Sequence, residues 1–470
     1  GRSLNWLIAE NCAKLKEVTA KNASQLTKIE LSNCSDVTLE ASDCSKLSTL
    51  TLGEYSVKSL TVKNCAALST LNGGAKVQTL TVDRCPQLST LSAGSALESL
   101  TLSNCGKISS LDNVSSVRNL SVEYCSSIGS LSWSRKSNLR SLSLKSCGGL
   151  TNVAVDHCDN KLDVNNSKKV TSVEANPCKE VNTEGCSELA TLKVGNNLQT
   201  LQASGCTKLT KVEGTLTALT SLQCNYNTGF TTDFLKGVLQ GSTAPKLESC
   251  EAQYVVNLPA QLNVRKSLKK LDLSNATRLT SLTVQEQSAL EDLSLPYVRS
   301  LTELNVLQAK NLKKLIFHDT EVKKVSLAGL TKLEEVYMAG GYPARLLTEL
   351  ICQLHDRKNL TKGVFKYNFG SSELPLVNGR VAKDKNWMIY STNSGKDVTD
   401  QCTSTVSCNE VVPPATPDEV HFELTGRTKL FFTTVKPTMV WLSATSDKNK
   451  FYYNDYYGVG NSSIDLNDHE

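Results

Sequence analysis

The chain has 470 residues and a mass of 51.0 kDa, more than one ordinary compact core contains. Its apolar content of 39% and charged content of 21% exclude a disordered chain, and no apolar run approaches the roughly 18 residues of a membrane-spanning helix. A net charge of +5 is too small to indicate nucleic-acid binding. The 17 cysteines are an odd number, so they cannot all pair within one chain.

The chain opens on Gly1, Arg2 and Ser3, without a methionine and without a charged region followed by an apolar one. We interpret this start as a trimmed mature end from which a signal segment has been removed. The lack of a signal here therefore gives no reason to place the protein in the cytosol.

A repeat organises most of the sequence. Residues 59–65 recur at 79–85, 99–105, 119–125 and 141–147, and each copy ends on a cysteine. These cysteines are spaced 20, 20, 20 and 22 residues apart, and the spacing of 20 returns between Cys186 and Cys206. A weaker half-unit, such as residues 88–91, lies between the strong segments. Self-similarity at this period predicts a solenoid with coils of about 20–22 residues.

Each strong segment has the pattern of a strand. Leu100 and Leu102 are two residues apart and share one face, whereas Thr101 points to the other. Stacked coils then form a parallel sheet with a leucine and valine core and few helices. The cysteine after each strand fills the corner where the chain turns inward, as a small buried residue with a weak donor. The structural cysteines predicted in this way are Cys65, Cys85, Cys105, Cys125, Cys147, Cys186 and Cys206.

The pattern loosens after Cys224. Thr231 is placed to cap a short helix that Gly241 ends, and residues 346–354 form a second helical stripe. Between these two units the leucine repeat resumes at Leu268. We therefore predict an N-terminal array at 1–228, an irregular helix-containing coil at 229–265 and a second array with a helical cap unit at 266–394. A linker follows at 395–417, and residues 418–470 form a small β module or a fragment of a larger one.

The leucine pattern and its cysteine ladder resemble the leucine-rich-repeat superfamily over about residues 5–390. The short period is most similar to the cysteine-ladder repeats of internalin J and to cell-surface repeat proteins of Bacteroidales. A segment with Ala382, Lys383 and Trp387 resembles the unit that closes the Bacteroidales arrays. The resemblance implies a concave parallel sheet that binds a protein, in adhesion or host interaction.

Motifs for catalysis and cofactors are missing from the sequence. The five histidines are scattered, and neither a zinc-binding spacing nor a phosphate-binding glycine loop occurs. We therefore predict no enzyme activity, no cofactor and no metal. Cys402 and Cys408 lie close together in the linker and are candidates for a disulfide.

Lysine pairs recur in the second array, but acidic pairs alternate with them. The column reads Lys269-Lys270, Glu291-Asp292, Lys313-Lys314 and Glu334-Glu335, in steps of 22, 22 and 21 residues. Because stacked neighbours carry opposite signs, the pattern favours a cross-strand charge ladder over a site for a polyanion.

Two surfaces are candidates for binding. The first lies beside a column of hydroxyl residues, Thr61, Thr81, Thr101, Ser121 and Ser143, on the exposed face of the sheet. It occupies the next outward positions of these coils, and its members are Lys63, Asp83, Arg84, Glu123, Tyr124 and Lys145. No aromatic stripe is present in these five coils, which favours a protein partner over a glycan there. The second is a tyrosine-rich stretch that forms either core or a contact patch, with Tyr452, Tyr453, Tyr456 and Tyr457.

The sequence thus predicts a non-enzymatic interaction protein, extracellular or at the outer cell surface, with a protein partner. One alternative is a glycan-binding surface protein that uses the C-terminal tyrosines. Another is an intracellular adaptor, which the many unpaired cysteines favour. We expect a monomer that does not bind nucleic acid, and that contacts a membrane only through an anchor or lipid lost from the chain.

Overall fold

A computed structural model describes residues 3–53, 57–114, 117–133, 139–323, 325–370 and 372–408, together with the backbone of four strands beyond residue 428. The chain divides into two compact units, Gly1–Gly340 and Gly341–Glu470. The first unit is a parallel β-solenoid, as the repeat predicts.

One continuous parallel sheet, the main sheet, runs through the first unit. Each strand hydrogen-bonds to the equivalent strands of the coils before and after it, so equivalent residues stack in columns. The strands of the main sheet are Glu17–Lys21, Val37–Ser42, Val57–Lys63, Thr79–Asp83, Ser99–Ser103, Asn119–Glu123, Ser141–Lys145, Lys161–Asp163, Glu180–Asn182, Thr200–Gln202, Ser221–Gln223, Ser249–Glu251, Lys270–Asp272, Asp292–Ser294, Lys314–Ile316 and Glu335–Tyr337.

The weaker half of the repeat also forms strands, which we call the rear strands. They pair in parallel in sheets separate from the main sheet. The first group is Trp6–Glu10, Lys28–Ser32, Thr49–Leu52, Thr70–Asn72 and Thr90–Ser92. The second group is Ser130–Trp133, Asn152–Val155, Ser172–Ala175, Thr191–Val194 and Glu213–Gly214, and the third is Gln261–Val264, Ser281–Val284 and Glu303–Asn305.

Leucine and valine fill the inside of each coil. Leu100 and Leu102 are fully buried, and they pair in register with the buried Leu80 and Val82 of the preceding coil. Thr101 lies between them on the half-exposed face. This alternation follows from the two-residue period of a strand. Each buried leucine contributes about 1.5–3 kcal/mol relative to leaving it exposed, so the columns hold neighbouring coils together.

Helix α1, Thr232–Leu239, lies in the coil where the repeat loosens. Thr231 Oγ1 accepts a hydrogen bond from the Phe234 backbone N–H at 3.3 Å, which caps the helix as predicted. The main sheet nevertheless continues past it, because strand Ser221–Gln223 pairs directly with strand Ser249–Glu251. Helix α1 therefore lies between two paired strands of one sheet, and the division of the chain into arrays around 229–265 stays a prediction.

The second unit contains helices α2, Ala344–Gln353, and α3, Gly379–Asp384. Strands Gly363–Tyr367 and Trp387–Ser391 pair in parallel, and the short strand Lys396–Asp397 adds to the latter in antiparallel fashion. The three short 3-10 helices of the described chain are Asp112–Val114, in the first unit, and Leu374–Leu376 and Thr399–Gln401, in the second. These helices and paired strands, with Trp387, lie in the unit that begins at Gly341. The predicted bounds of the second array and its cap unit, 266–394, stay a prediction.

Two antiparallel pairs make up the described end of the chain. Strand Lys429–Thr434 pairs with Gly460–Asp465, and Thr438–Ser443 pairs with Tyr452–Tyr457. They account for part of the predicted β module at 418–470. Residues 409–417 of the predicted linker and residues 418–428 of the predicted β module lie outside the described residues.

Candidate binding surface

The outward positions of the main sheet form straight columns. Thr61, Thr81, Thr101, Ser121 and Ser143 pair in register from coil to coil, as the sequence predicts. The same column continues in later coils with larger polar side chains, which are Asp163, Asn182, Gln202, Gln223, Glu251 and Asp272. The chemistry of this face therefore changes from hydroxyls to amides and carboxylates along the unit.

The predicted first surface lies on this face. Lys63 pairs in register with Asp83, and Glu123 pairs with Lys145, while Ser103 lies between these two pairs. Arg84 and Tyr124 follow Asp83 and Glu123 in the chain, and both are exposed. The fold thus places all six predicted residues on one side of the main sheet, in two neighbouring columns.

Hydrogen bonds already occupy part of that surface. The Asp83 carboxylate accepts hydrogen bonds from the Ser103 hydroxyl at 2.5 Å and the Asn104 amide at 3.1 Å, and the Arg84 guanidinium lies 3.8 Å away. Burial alone would raise the pKa of Asp83, but these hydrogen bonds and the nearby positive charges outweigh it and leave that pKa below its ordinary value. Asp83 stays ionised and paired, which suits recognition rather than acid–base catalysis.

A second column borders the main sheet, which we call the edge column. It consists of the residue that turns into the left-handed conformation after each main-sheet strand. Its members are Asn22, Asp43, Asn64, Arg84, Asn104, Tyr124, Ser146, Asn166, Gly185, Gly205, Tyr226, Tyr254, Asn275, Tyr297 and Asp319. Asparagine is common because its short polar side chain tolerates this conformation. The buried cysteine of the ladder follows directly after the edge residue in many of these coils.

Four tyrosines of the edge column are exposed, a feature that the sequence analysis missed. Tyr124, Tyr226, Tyr254 and Tyr297 expose 60%, 54%, 43% and 48% of their surface. In the five regular coils that end on Cys65, Cys85, Cys105, Cys125 and Cys147, Tyr124 is isolated, so no aromatic stripe is visible there. A signal was present in the sequence, because each later tyrosine stands three residues after the end of a leucine-repeat strand.

The later tyrosines contact other aromatic rings. Tyr226 and Tyr254 stack with ring centroids 4.6 Å apart and an interplanar angle of 13°. Tyr297 meets the His318 ring edge-on at 4.9 Å, and His318 packs against Tyr337 at 4.2 Å. These contacts cross neighbouring coils, so the aromatic side chains form a fixed surface rather than separate mobile groups.

Amide and carboxylate side chains lie beside the stacked tyrosines. Gln202 donates a hydrogen bond to Gln223 at 3.0 Å, and Gln223 donates to Glu251 at 3.3 Å. Gln253 donates to Asp272 at 2.7 Å. Side chains held in this way present their remaining donors and acceptors in defined directions, which lowers the entropy lost on binding.

The cysteine ladder is structural. All seven predicted ladder cysteines are fully buried. Their thiols donate to backbone carbonyls, for example from Cys186 to Val164 O at 3.2 Å and from Cys206 to Thr183 O at 3.0 Å. Burial raises the pKa of Cys125 to about 12 and that of Cys206 to about 11. These thiols are therefore protonated and shielded at neutral pH, which does not suit a nucleophile or a metal ligand.

The predicted Cys402–Cys408 disulfide is wrong. Cys408 pairs instead with Cys352 of helix α2, which is 56 residues earlier in the chain, with the two Cα atoms 5.5 Å apart. Cys402 is free and only 4% exposed, just after the 3-10 helix Thr399–Gln401. Cys402 is therefore buried apart from Cys408, although the two are close in sequence.

The tyrosine-rich stretch lies on a strand. Tyr452, Tyr453, Tyr456 and Tyr457 all lie within the strand Tyr452–Tyr457. Their role as core or contact patch stays a prediction.

The charge ladder of the later coils is present as predicted. Lys269 pairs with Glu248 at 2.9 Å, and Lys313 pairs with Glu291 at 2.6 Å. The Lys313 ammonium lowers the pKa of Glu291 through a direct hydrogen bond. Because the positive charges are matched by carboxylates, this face does not form a basic patch.

The described part of the chain contains no group of three or more side chains arranged to hold a metal ion. A hollow of about 440 Å³ in the second unit is lined by Arg345, Thr348, Leu376 and Val406, which do not include an acid–base pair. Among the same residues, none of the helices is both long and apolar enough to cross a bilayer.

Solved structures similar to this chain include the functional domain of InlJ from Listeria monocytogenes, which includes a cysteine ladder. It aligns at 15% identity over 75% of this chain and 74% of that one, with a TM-score of 0.26. The crystal structure of PEPR1–AtPEP1 aligns at 12% identity over 79% of this chain and 66% of that one, with a TM-score of 0.20. Neither a protein-family model nor a curated protein sequence matches the chain. The leucine-lined coils, the parallel main sheet and the buried cysteine ladder make the first unit of this chain a parallel β-solenoid.

Proposed function

We propose that the chain is a non-enzymatic binding protein that holds a protein partner on the main-sheet face and the edge column. The observation that carries this proposal is the set of exposed tyrosines on a framework whose leucines are fully buried. Outward side chains alternate with core side chains along each strand, so the surface can vary without disturbing the core. Tyrosine beside amide groups is a common chemistry of protein-binding surfaces.

We place the protein outside the cell, at the cell surface or secreted. The Cys352–Cys408 disulfide supports an oxidising compartment. The free ladder cysteines do not argue against it, because they are buried and protected from oxidants. Adhesion or host interaction is the role that the resemblance to surface repeat proteins implies. Labelling of intact source cells with a non-permeant biotin reagent tests the location, and labelling only after lysis would contradict it.

Site-directed photo-crosslinking tests the binding face. A photoreactive residue replaces either Tyr124 or Glu123 on the proposed surface, or Lys193 or Glu174 on the rear strands, all of which are exposed or half-exposed. We expect intact host cells to give the same crosslinked protein from both front positions and none from the rear positions. Crosslinks from the rear positions alone would contradict the proposal.

A further inference from the structure

The edge column contains a notch next to its stacked tyrosines. Backbone N–H groups of Gly185, Gly205 and Tyr226 donate to the following coil at 2.8 Å each, so the column keeps one regular spacing there. Tyr254 covers one face of the Tyr226 ring by stacking on it. Because the centroid distance of 4.6 Å in this stack is close to the spacing between strands, we infer that the other face of the ring is turned towards the preceding coil, whose edge residue is Gly205.

Both glycines adopt left-handed φ angles, 72° at Gly185 and 73° at Gly205, a region that favours glycine but that other residue types also adopt in this column. Left-handed φ angles of 52° to 58° are adopted elsewhere in the column by Arg84, Asn104 and Tyr226. A Cβ added to Gly205 would meet Gly185 atoms at 3.7 Å, an ordinary contact. At Gly185 the Asn166 amide takes the space of a side chain, so the open part of the notch lies over Gly205.

Asn166 bounds the notch at its far end. Its Oδ1 lies 2.7 Å from the position that a Cβ on Gly185 would occupy. Three coil spacings separate Asn166 from Tyr226, which is about 14 Å at the usual distance between strands. The notch is therefore a short cleft with one aromatic wall, one amide wall and a floor of glycine backbone.

On the side of the cleft that faces the main sheet, the side chains named here are polar, and none of them is cationic. Gln202 is fixed by its hydrogen bond to Gln223, and the side-chain amide oxygen of Asn225, Oδ1, accepts a hydrogen bond from the Gln253 backbone N–H at 2.8 Å. Ser204 is half-exposed and Glu184 is exposed beside the glycines. The face offers hydroxyl, amide and carboxylate groups, which hydrogen-bond to neutral hydroxyls and repel anions.

We propose that this cleft is a binding subsite for a neutral pyranose of a carbohydrate. A pyranose has one flat C–H face, which stacks on an aromatic ring, and a rim of hydroxyls, which fixed amides and carboxylates recognise. The free Tyr226 face and the Gln202, Ser204 and Asn225 row supply those two features side by side. The subsite is distinct from the C-terminal tyrosines and does not depend on the proposed protein partner.

Saturation-transfer NMR on the full chain tests this subsite. The probes are methyl glycosides of glucose, galactose, mannose and N-acetylglucosamine and their neutral dimers. Two variants alter the cleft, Tyr226→Ser by removing the wall and Gly205→Asn by filling the notch with a residue that the column accepts elsewhere. Tyr297→Ser is the matched control, because it removes an exposed edge tyrosine away from the notch.

We expect at least one neutral glycoside to bind the unaltered chain and Tyr297→Ser equally, and to bind Tyr226→Ser and Gly205→Asn at least tenfold more weakly. Circular dichroism of all variants checks that the solenoid is intact. Absence of binding by every glycoside overturns the proposal, as does binding that both cleft variants retain. Binding of a lysine- and arginine-rich peptide, lost in the same variants without any glycoside binding, would instead assign the cleft to a cationic protein segment. Photo-crosslinking to a protein partner is measured on the Gly205→Asn variant as well. If that variant loses glycoside binding but keeps the crosslink, the subsite and the proposed protein-binding function are distinguished.

Discussion

The substitution Leu142→Ala tests whether the leucine columns hold the coils together. Leu142 is 1% exposed and stacks in register between Leu120 and Leu162, which are 2% and 0% exposed. Backbone hydrogen bonds to both neighbouring strands prevent the site from collapsing into the cavity. We therefore expect a loss of about 3 kcal/mol in the free energy of opening, within the range for buried leucines. At about 1.4 kcal/mol for each factor of ten, local opening becomes roughly 100-fold more frequent.

Cysteine labelling measures this opening one coil at a time. Cys125 and Cys147 belong to the coil before Leu142 and to its own coil, and both are fully buried. They react with a thiol reagent only when the structure opens locally. Cys12 is partly exposed and serves as the internal reference. Peptide mass spectrometry after timed labelling should show both buried cysteines reacting roughly 100-fold faster in the variant.

Ser143→Ala is the matched control on the same strand. The Ser143 hydroxyl is buried and has no hydrogen-bond partner among the described residues, so its removal should leave labelling unchanged or slow it. Unchanged labelling of Cys125 and Cys147 in Leu142→Ala would refute the reasoning. An equal rise at the distant Cys250 would show that the first unit opens as a whole rather than coil by coil.

Three further predictions concern the cysteines and the charge ladder. Alkylation before reduction should leave Cys352 and Cys408 unmodified, and intact mass measures this. In urea unfolding, Cys352→Ser should destabilise the second unit by about 2–5 kcal/mol. Cys402→Ser should leave the disulfide intact, which intact mass also measures. Burial raises the pKa of the Cys125 thiol to about 12, so the unfolded chain loses this proton at a lower pH than the folded chain. The free energy of unfolding is therefore unaffected below the ordinary thiol pKa and decreases as the pH rises towards 12. The urea midpoint should therefore fall between pH 8 and pH 10, and less so in Cys125→Ser; an identical fall would contradict a thiol origin. Lys270→Ala removes one exposed ion pair and should cost no more than about 1 kcal/mol in urea unfolding, so a larger loss would show that the ladder stabilises the sheet.

Much of the fold was predictable because its rules are local. The two-residue alternation of Leu100, Thr101 and Leu102 places alternate side chains in the core and outside. The 20-residue step repeats that arrangement and so defines the coil. The cap at Thr231 was equally readable, since a helix cap depends on a few consecutive residues.

The exposed tyrosines of the edge column were not predicted, because their spacing in the sequence is irregular. Tyr226 and Tyr254 are 28 residues apart, since helix α1 lies between them, and yet they stack directly. Backbone pairing of Ser221–Gln223 with Ser249–Glu251 restores the register that the insertion hides. The column of tyrosines is thus a property of strand pairing and not of the repeat length.

By itself the sequence determined the coil, its core and the position of the cysteine ladder, because each depends on residues close together in the chain. Only the tertiary structure decided which distant residues meet. Strand and helix packing joined Cys408 to Cys352 rather than to the nearer Cys402, and it stacked the Tyr226 ring on Tyr254. Such contacts depend on how whole coils and helices pack, and no short sequence pattern encodes that packing.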